Sequence, residues 1–142
     1  MAGSAPGSPV PSPAAPVTAI VIAQQLQAAV PSITAVTEAT EANGGAEFLG
    51  QPGQSISAAW IADTSAAAPE NSVAGGGVVE VFASEAEAEA RLTALREYLA
   101  QRPAYRAEYQ YLRGPVLLRV TGKATPEQAA LYEQAFNGIA LE

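Results

Sequence analysis

"AYRAEYQYLRGPVLLRV", Ala104 to Val120, alternates apolar and polar residues on both sides of an Arg-Gly-Pro break, and its reading decides the fold. Two such runs around a glycine-containing turn predict a β-hairpin. Arg113-Gly114 reads as the two-residue turn, with Gly114 free to take positive φ and Pro115 at a strand start, where its missing N–H is tolerated. Leu112 then faces Pro115, and counting outward Tyr111 faces Val116, Tyr109 faces Leu118 and Ala107 faces Val120, which makes one side apolar. The other side pairs Gln110 with Leu117, Glu108 with Arg119 and Arg106 with Thr121. Its one direct charge pair is of opposite sign, worth about 0.2–1 kcal/mol. Both strands agree on which side is core, a consistency that fixes register.

The flanking segments supply helices and further strands. Downstream, "TPEQAALYEQAF" carries Thr125 as N-cap, Pro126 at the first helical position and Gln128 closing a capping box, and Ala129, Tyr132, Phe136 and Ile139 form the buried stripe. Upstream, "GGGVVEVFASEAEAEARL", Gly75 to Leu92, joins three glycines, a β-branched strand at Val78–Phe82 and a helix opened by Ser84 with Glu87. Ala88, Leu92, Leu95 and Leu99 make that helix's apolar stripe up to Pro103. A phosphate-binding loop runs strand, glycines, helix, whereas these glycines precede the strand, and Glu85, Glu87 and Glu89 in the first helical turns repel an anion. The glycines are therefore read as the entry of the backbone into a sheet. Further upstream, Ile56, Ala58, Trp60 and Ala62 alternate with smaller residues as a half-buried strand. Ile22, Leu26 and Ala29 predict a helix from Thr18 that Pro31 ends. Ser32 to Gly53 shows no clear period and is read as a long loop pinned by Phe48 and Leu49, and Asp63 to Gly77 as another. The sum is an α+β domain over residues 17–140: two layers, roughly four largely antiparallel strands and about three helices mainly on one face.

Composition removes many functions. The chain has 142 residues with 14 acidic and 7 basic side chains, a net charge of −7, and neither His nor Cys. Nucleic acid is a poor partner without clustered cations, and no run approaches the ~20 apolar residues of a membrane-spanning helix. Thiol nucleophiles, Ser-His-Asp relays, zinc-type sites and imidazole shuttles are excluded. Carboxylates, tyrosines, hydroxyls and Lys123 remain, and no cofactor is expected.

Several side chains suit a functional role. Trp60, Tyr98, Tyr105, Tyr109, Tyr111 and Tyr132 suit the lining of a sugar or peptide site, yet Tyr109, Tyr111 and Tyr132 fall on predicted core faces. Trp60, alone on a strand between long loops, is kept as a binding residue. Asp63, Glu70 and Asn71 bracket a loop with oxygen ligands but lack calcium-loop spacing. Glu47, Asp63, Glu70 and Glu80 are the carboxylates available for glycoside cleavage, and nothing in the sequence joins two of them. Glu108 and Arg119 are read as a cross-strand pair on a polar sheet face that also serves as a binding surface.

Residues 1–16, "MAGSAPGSPVPSPAAP", hold five of the eleven prolines among small residues and read as an extended linker. The runs "GGGVVEVFASEAEAEAR" and "EYQYLRGPVLLRVTGKATPEQAALYEQAF", with "FLGQPGQ" before them, resemble a family of small secreted lipoproteins of Gram-positive bacteria, chiefly actinobacteria. The likeness covers roughly residues 18–140 and is most specific over Gly76–Ala90 and Glu108–Phe136. Members often carry an Asp-Pro-Asn run before a Leu-Leu-Gly-Arg/Lys-Pro segment, whereas here Gly45-Ala46-Glu47 precedes Phe48-Leu49-Gly50-Gln51-Pro52, and no functional residue is carried over. The resemblance implies a place outside the cytoplasmic membrane, on a lipid attached to a cysteine removed ahead of Met1, with residues 1–16 as tether. Leu141-Glu142 reads separately as a cloning scar. The expected function is a non-catalytic binding or accessory role toward a protein or cell-wall component. The alternatives are a secreted inhibitor or immunity-type protein and a small carboxylate-dependent hydrolase.

Overall fold

The hairpin forms one residue further along than its sequence indicates. In a computed structural model, which describes residues 17–43, 54–64, 73–101 and 108–141, strands Tyr109–Arg113 and Val116–Val120 pair Arg113 with Val116, Leu112 with Leu117, Tyr111 with Leu118, Gln110 with Arg119 and Tyr109 with Val120. The turn residues are Gly114 and Pro115, not Arg113 and Gly114. Gly114 has φ +53°, and with proline's fixed negative φ behind it the pair fits the II′ turn that matches strand twist. The shift also spares Pro115 a place in the ladder. Because it moves every partner by two residues, each side chain keeps its predicted face.

Among the described residues the sheet has five strands, all neighbours antiparallel, in the order β1-β2-β3-β5-β4: β1 Ile33–Glu38, β2 Ser57–Asp63, β3 Gly76–Val81, β4 Tyr109–Arg113 and β5 Val116–Val120. β1 stands in the segment expected to be loop. Its pairing with β2 slips between Ile33 and Ala35, so Thr34 is an extra residue and the core-facing Ile33 and Val36 lie three apart rather than two. That bulge hides the alternation by which strands are recognised.

The α+β class and the three helices are as expected: α1 Ala19–Ala29, α2 Glu85–Ala100 and α3 Pro126–Asn137. α1 lies over β1, β2 and β3 and α3 over β4 and β5, while α2 meets β4 and β5 from the opposite face. The molecule thus has two layers at its β1 end and three at its β4 end. The main core joins Ile22 and Leu26 of α1 and Tyr132 and Phe136 of α3 to Ala59, Ile61, Val79, Val81, Val116, Leu118 and Val120. Each fully buried large side chain there contributes about 1.5–3 kcal/mol. α2 contributes Ala88 and Leu95, with Leu92 partly buried, to a separate seam with Phe82, Leu117 and Leu112. Both faces of β2 are buried, Ala59 and Ile61 in the main core and Ala58 and Trp60 with Ala39, Val78 and Val73, and Ile56, predicted to be buried with Trp60, is 55% exposed just outside the strand.

The helix starts follow their sequences closely. The Thr125 hydroxyl accepts from the Gln128 N–H and the Gln128 side chain accepts from the Thr125 N–H. The Ser84 hydroxyl accepts from the Glu87 N–H at 3.2 Å. Thr18 makes no side-chain cap; instead Ser57 reaches across from β2 to accept from the Ala19 N–H at 3.0 Å. Arg113 binds the other end of α3, donating to the carbonyls of Phe136 and Ile139 with its guanidinium 5.5 Å over the Phe136 ring. Among the described residues no helix is long and apolar enough to cross a membrane.

Candidate functional site

The glycine question is decided by the sheet. Gly76 and Gly77 are the first residues of β3, opposite Ala62 and Ile61 of β2. A Cβ on Gly76 would lie 2.4 Å from the Ile61 carbonyl oxygen, and one on Gly77 would lie 2.5 Å from that of Arg119. The glycines admit close approach of both neighbouring strands and build no cradle for an anion.

Just beyond them the same strand carries a charge. Glu80 is flanked by Val79 and Val81 and is buried, so its ionised form requires partners. Its Oε2 accepts from Arg119 Nη1 at 3.0 Å and its Oε1 from Arg91 Nε, on α2, at 3.1 Å. Arg119 turns its remaining donors to Glu108, with Nε to Oε1 at 2.6 Å and Nη2 to Oε2 at 3.1 Å. Glu108 stands diagonally across the hairpin, because Gln110 is the residue directly opposite Arg119. Gln110 donates from Nε2 to Glu108 Oε1 at 3.0 Å and accepts at Oε1 from Arg96 Nε, also on α2, at 3.3 Å. A continuous chain, Arg91–Glu80–Arg119–Glu108–Gln110–Arg96, thus crosses the sheet and returns to the helix five residues from where it left. Burial lowers the affinity of Arg119 for its proton, but the hydrogen bonds and charge of Glu108, followed by the charge of Glu80, outweigh it and hold the pKa above the usual arginine value.

Trp60 lies on this face, in line with Arg119. Cross-strand pairing sets Thr37, Trp60, Val78, Arg119 and Gln110 in one row. The structure therefore brings all three sequence-selected residues, Trp60, Glu108 and Arg119, to one side of the sheet. Trp60 is only 4% exposed and packs with Ala39, Ala58 and Val78, with Val73 at the margin. Sequence reasoning had Glu80 only as one of several carboxylates and did not select Arg91, Arg96 or Gln110. The signal for Glu80 is a lone charge inside a β-branched strand, and for Arg91 its place between Ala88 and Leu95 on the apolar stripe.

The other candidates disperse. Asp63 lies on the opposite face from Glu80, where its Oδ2 accepts from the buried Tyr132 hydroxyl at 2.5 Å and from Ser32 at 2.9 Å, so Asp63 and Glu80 cannot flank one bond. Burial, then the hydrogen bond and charge of Asp63, push the Tyr132 phenol far above its ordinary value. Tyr109 and Tyr111 are half-buried against the main core and donate to the carbonyls of Ala124 and Ala129. Tyr111 is also raised, by burial and then by Glu133 and Tyr109. Tyr98 is exposed on α2. Glu47, Glu70, Asn71 and Tyr105 lie outside the described residues, as do residues 45–52. Among the described residues, no group of three or more Asp or Glu side chains gathers to hold a metal ion.

Two carboxylates do converge, but on a guanidinium. All four oxygens of Glu80 and Glu108 receive donors, and two guanidiniums balance the two acids. Such a network positions elements and holds no free acid or base. Comparison of the chain with family models, with curated proteins and with solved structures finds no match in any of the three.

Proposed function

We propose that the chain is a non-catalytic binding or accessory domain displayed outside the cytoplasmic membrane, carried on a lipid tether by residues 1–16 and directed at a protein or cell-wall component. The observation that carries the non-catalytic part is the saturation of Glu80 and Glu108: general acid or base work at either would first break a charge-assisted bond. With no His or Cys in the sequence, the usual substitutes for such a carboxylate are missing as well. The composition of residues 1–16 and the likeness to secreted lipoproteins support the tethered location.

Co-sedimentation of the chain with purified peptidoglycan, alongside capture of one partner from a solubilised envelope, tests the binding role. Saturable retention is expected. A chain that stays in the supernatant, and instead turns over a glycan or ester substrate in a manner lost on Glu108→Gln or Glu80→Gln, overturns it in favour of the carboxylate hydrolase. Stoichiometric suppression of one secreted enzyme would favour the inhibitor or immunity-type reading. The genomic frame ahead of Met1 tests the location independently: a signal sequence ending in a lipobox cysteine is expected, and its absence defeats the tether.

A further inference from the structure

We infer that α2 is a cover that opens from the sheet as a unit, hinged at Ala83-Ser84, while the rest of the fold stays intact. The inference is independent of any binding role. The main core contains no residue of α2; its apolar hold is Ala88 and Leu95, with part of Leu92, on Phe82, Leu117 and Leu112. By contrast α1 and α3 are bound through the main core, so the α2 attachment is the weaker one.

The polar chain makes the open state tolerable. Lifting α2 breaks the links from Arg91 to Glu80 and from Arg96 to Gln110. Arg119 keeps both of its carboxylates, because Glu80 lies on β3 and Glu108 precedes β4. No buried charge is stranded, and water reaches a triad that is already paired. In the closed state the Arg91 side chain is 31% exposed and that of Glu80 2%; opening hydrates both, so the desolvation cost of the pair is returned as its bond is lost, and the pair resists opening only modestly. What opening uncovers is the Arg119–Gln110 end of the row that runs from Thr37 through Trp60, together with Leu117.

The absence of cysteine from the chain allows a direct test. Leu117 and Leu118 are adjacent on β5, both fully buried, and face opposite sides of the sheet. Leu117→Cys and Leu118→Cys are each exposed to a thiol reagent under native conditions, and each rate is normalised to that variant's global unfolding equilibrium from urea titration. Cys labelling at 117 is expected to run at least about tenfold faster than at 118. Adding Arg91→Ala is expected to speed the first about two- to fivefold and leave the normalised second unchanged. Equal normalised rates, or equal acceleration at both positions, overturn the inference. Hydrogen exchange on the unsubstituted chain supplies a readout that needs no variant: amides of α2 should be protected at least about tenfold less than those of α3, and equal protection defeats the proposal.

Discussion

At the residue scale the structure turns on how few side chains hold a charge inside the sheet. Arg119 bridges two acids at once, so its removal leaves Glu108 without its guanidinium and Glu80 with Arg91 alone, the two carboxylates facing each other. Arg119→Ala is therefore expected to cost about 3–5 kcal/mol, read as a fall in the urea midpoint. Replacing Glu80, Glu108 and Arg119 together by Leu is expected to leave stability within about 2 kcal/mol of the parent or to raise it, because the desolvation of all three charges is relieved. If the triple replacement were as damaging as the single one, the network would be contributing net stability rather than position. Gly76 is a second residue with no freedom: Gly76→Ala forces its Cβ onto the Ile61 carbonyl, 2.4 Å away, and an expected loss of more than about 1–3 kcal/mol is checked the same way. The Glu108–Arg119 pair was legible in the sequence through alternation alone. Glu80 was not, because the pairing of β3 with β5 is a long-range contact that no local pattern encodes.

At the scale of elements, the parts that could be read were those whose signals are local. Thr125-Pro126-Gln128 marks the start of α3 and Ser84-Glu87 that of α2, since a cap is a hydrogen bond between residues three apart. The hairpin was read with the correct faces but the wrong turn, because both Arg113-Gly114 and Gly114-Pro115 place Gly at positive φ and only the ladder constraint on proline separates them. β1 escaped notice because its bulge breaks the period and its outward half is exposed Thr and Glu. Which face each helix covers is likewise non-local, and it carries a consequence for energetics. Phe136 fills the main core and Leu95 only the α2 seam. Phe136→Ala is expected to cost about 3–5 kcal/mol and Leu95→Ala nearer 2. Chemical denaturation measures both, and a reversed order would mean that α2 anchors the fold instead of covering it.

At the scale of the whole molecule, the two faces of the sheet differ in what pH does to them. The α2 face is held by ion pairs, whereas the α1–α3 face closes on a phenol donating to a carboxylate, Tyr132 to Asp63. Tyr132 binds its proton far more tightly in the folded chain than tyrosine does ordinarily, first because it is buried and then because Asp63 accepts its hydrogen bond and opposes a second negative charge. The unfolded chain ionises this group near pH 10, so above that pH it holds fewer protons than the folded one. Stability linked to Tyr132 is thus fully present below about pH 10 and falls as pH rises beyond it, by up to about 1.4 kcal/mol for each pH unit. Tyr111, raised by burial and by Glu133, acts in the same direction. Unfolding free energies measured by urea between pH 9 and 11.5 should show this decline. Tyr132→Phe should start about 1–3 kcal/mol lower, because Asp63 loses a donor, and then decline less steeply by about one proton's worth. Parallel slopes for the two proteins would mean that the Tyr132 hydroxyl already meets water in the native state, and the main-core face would not be sealed where Asp63 ends β2.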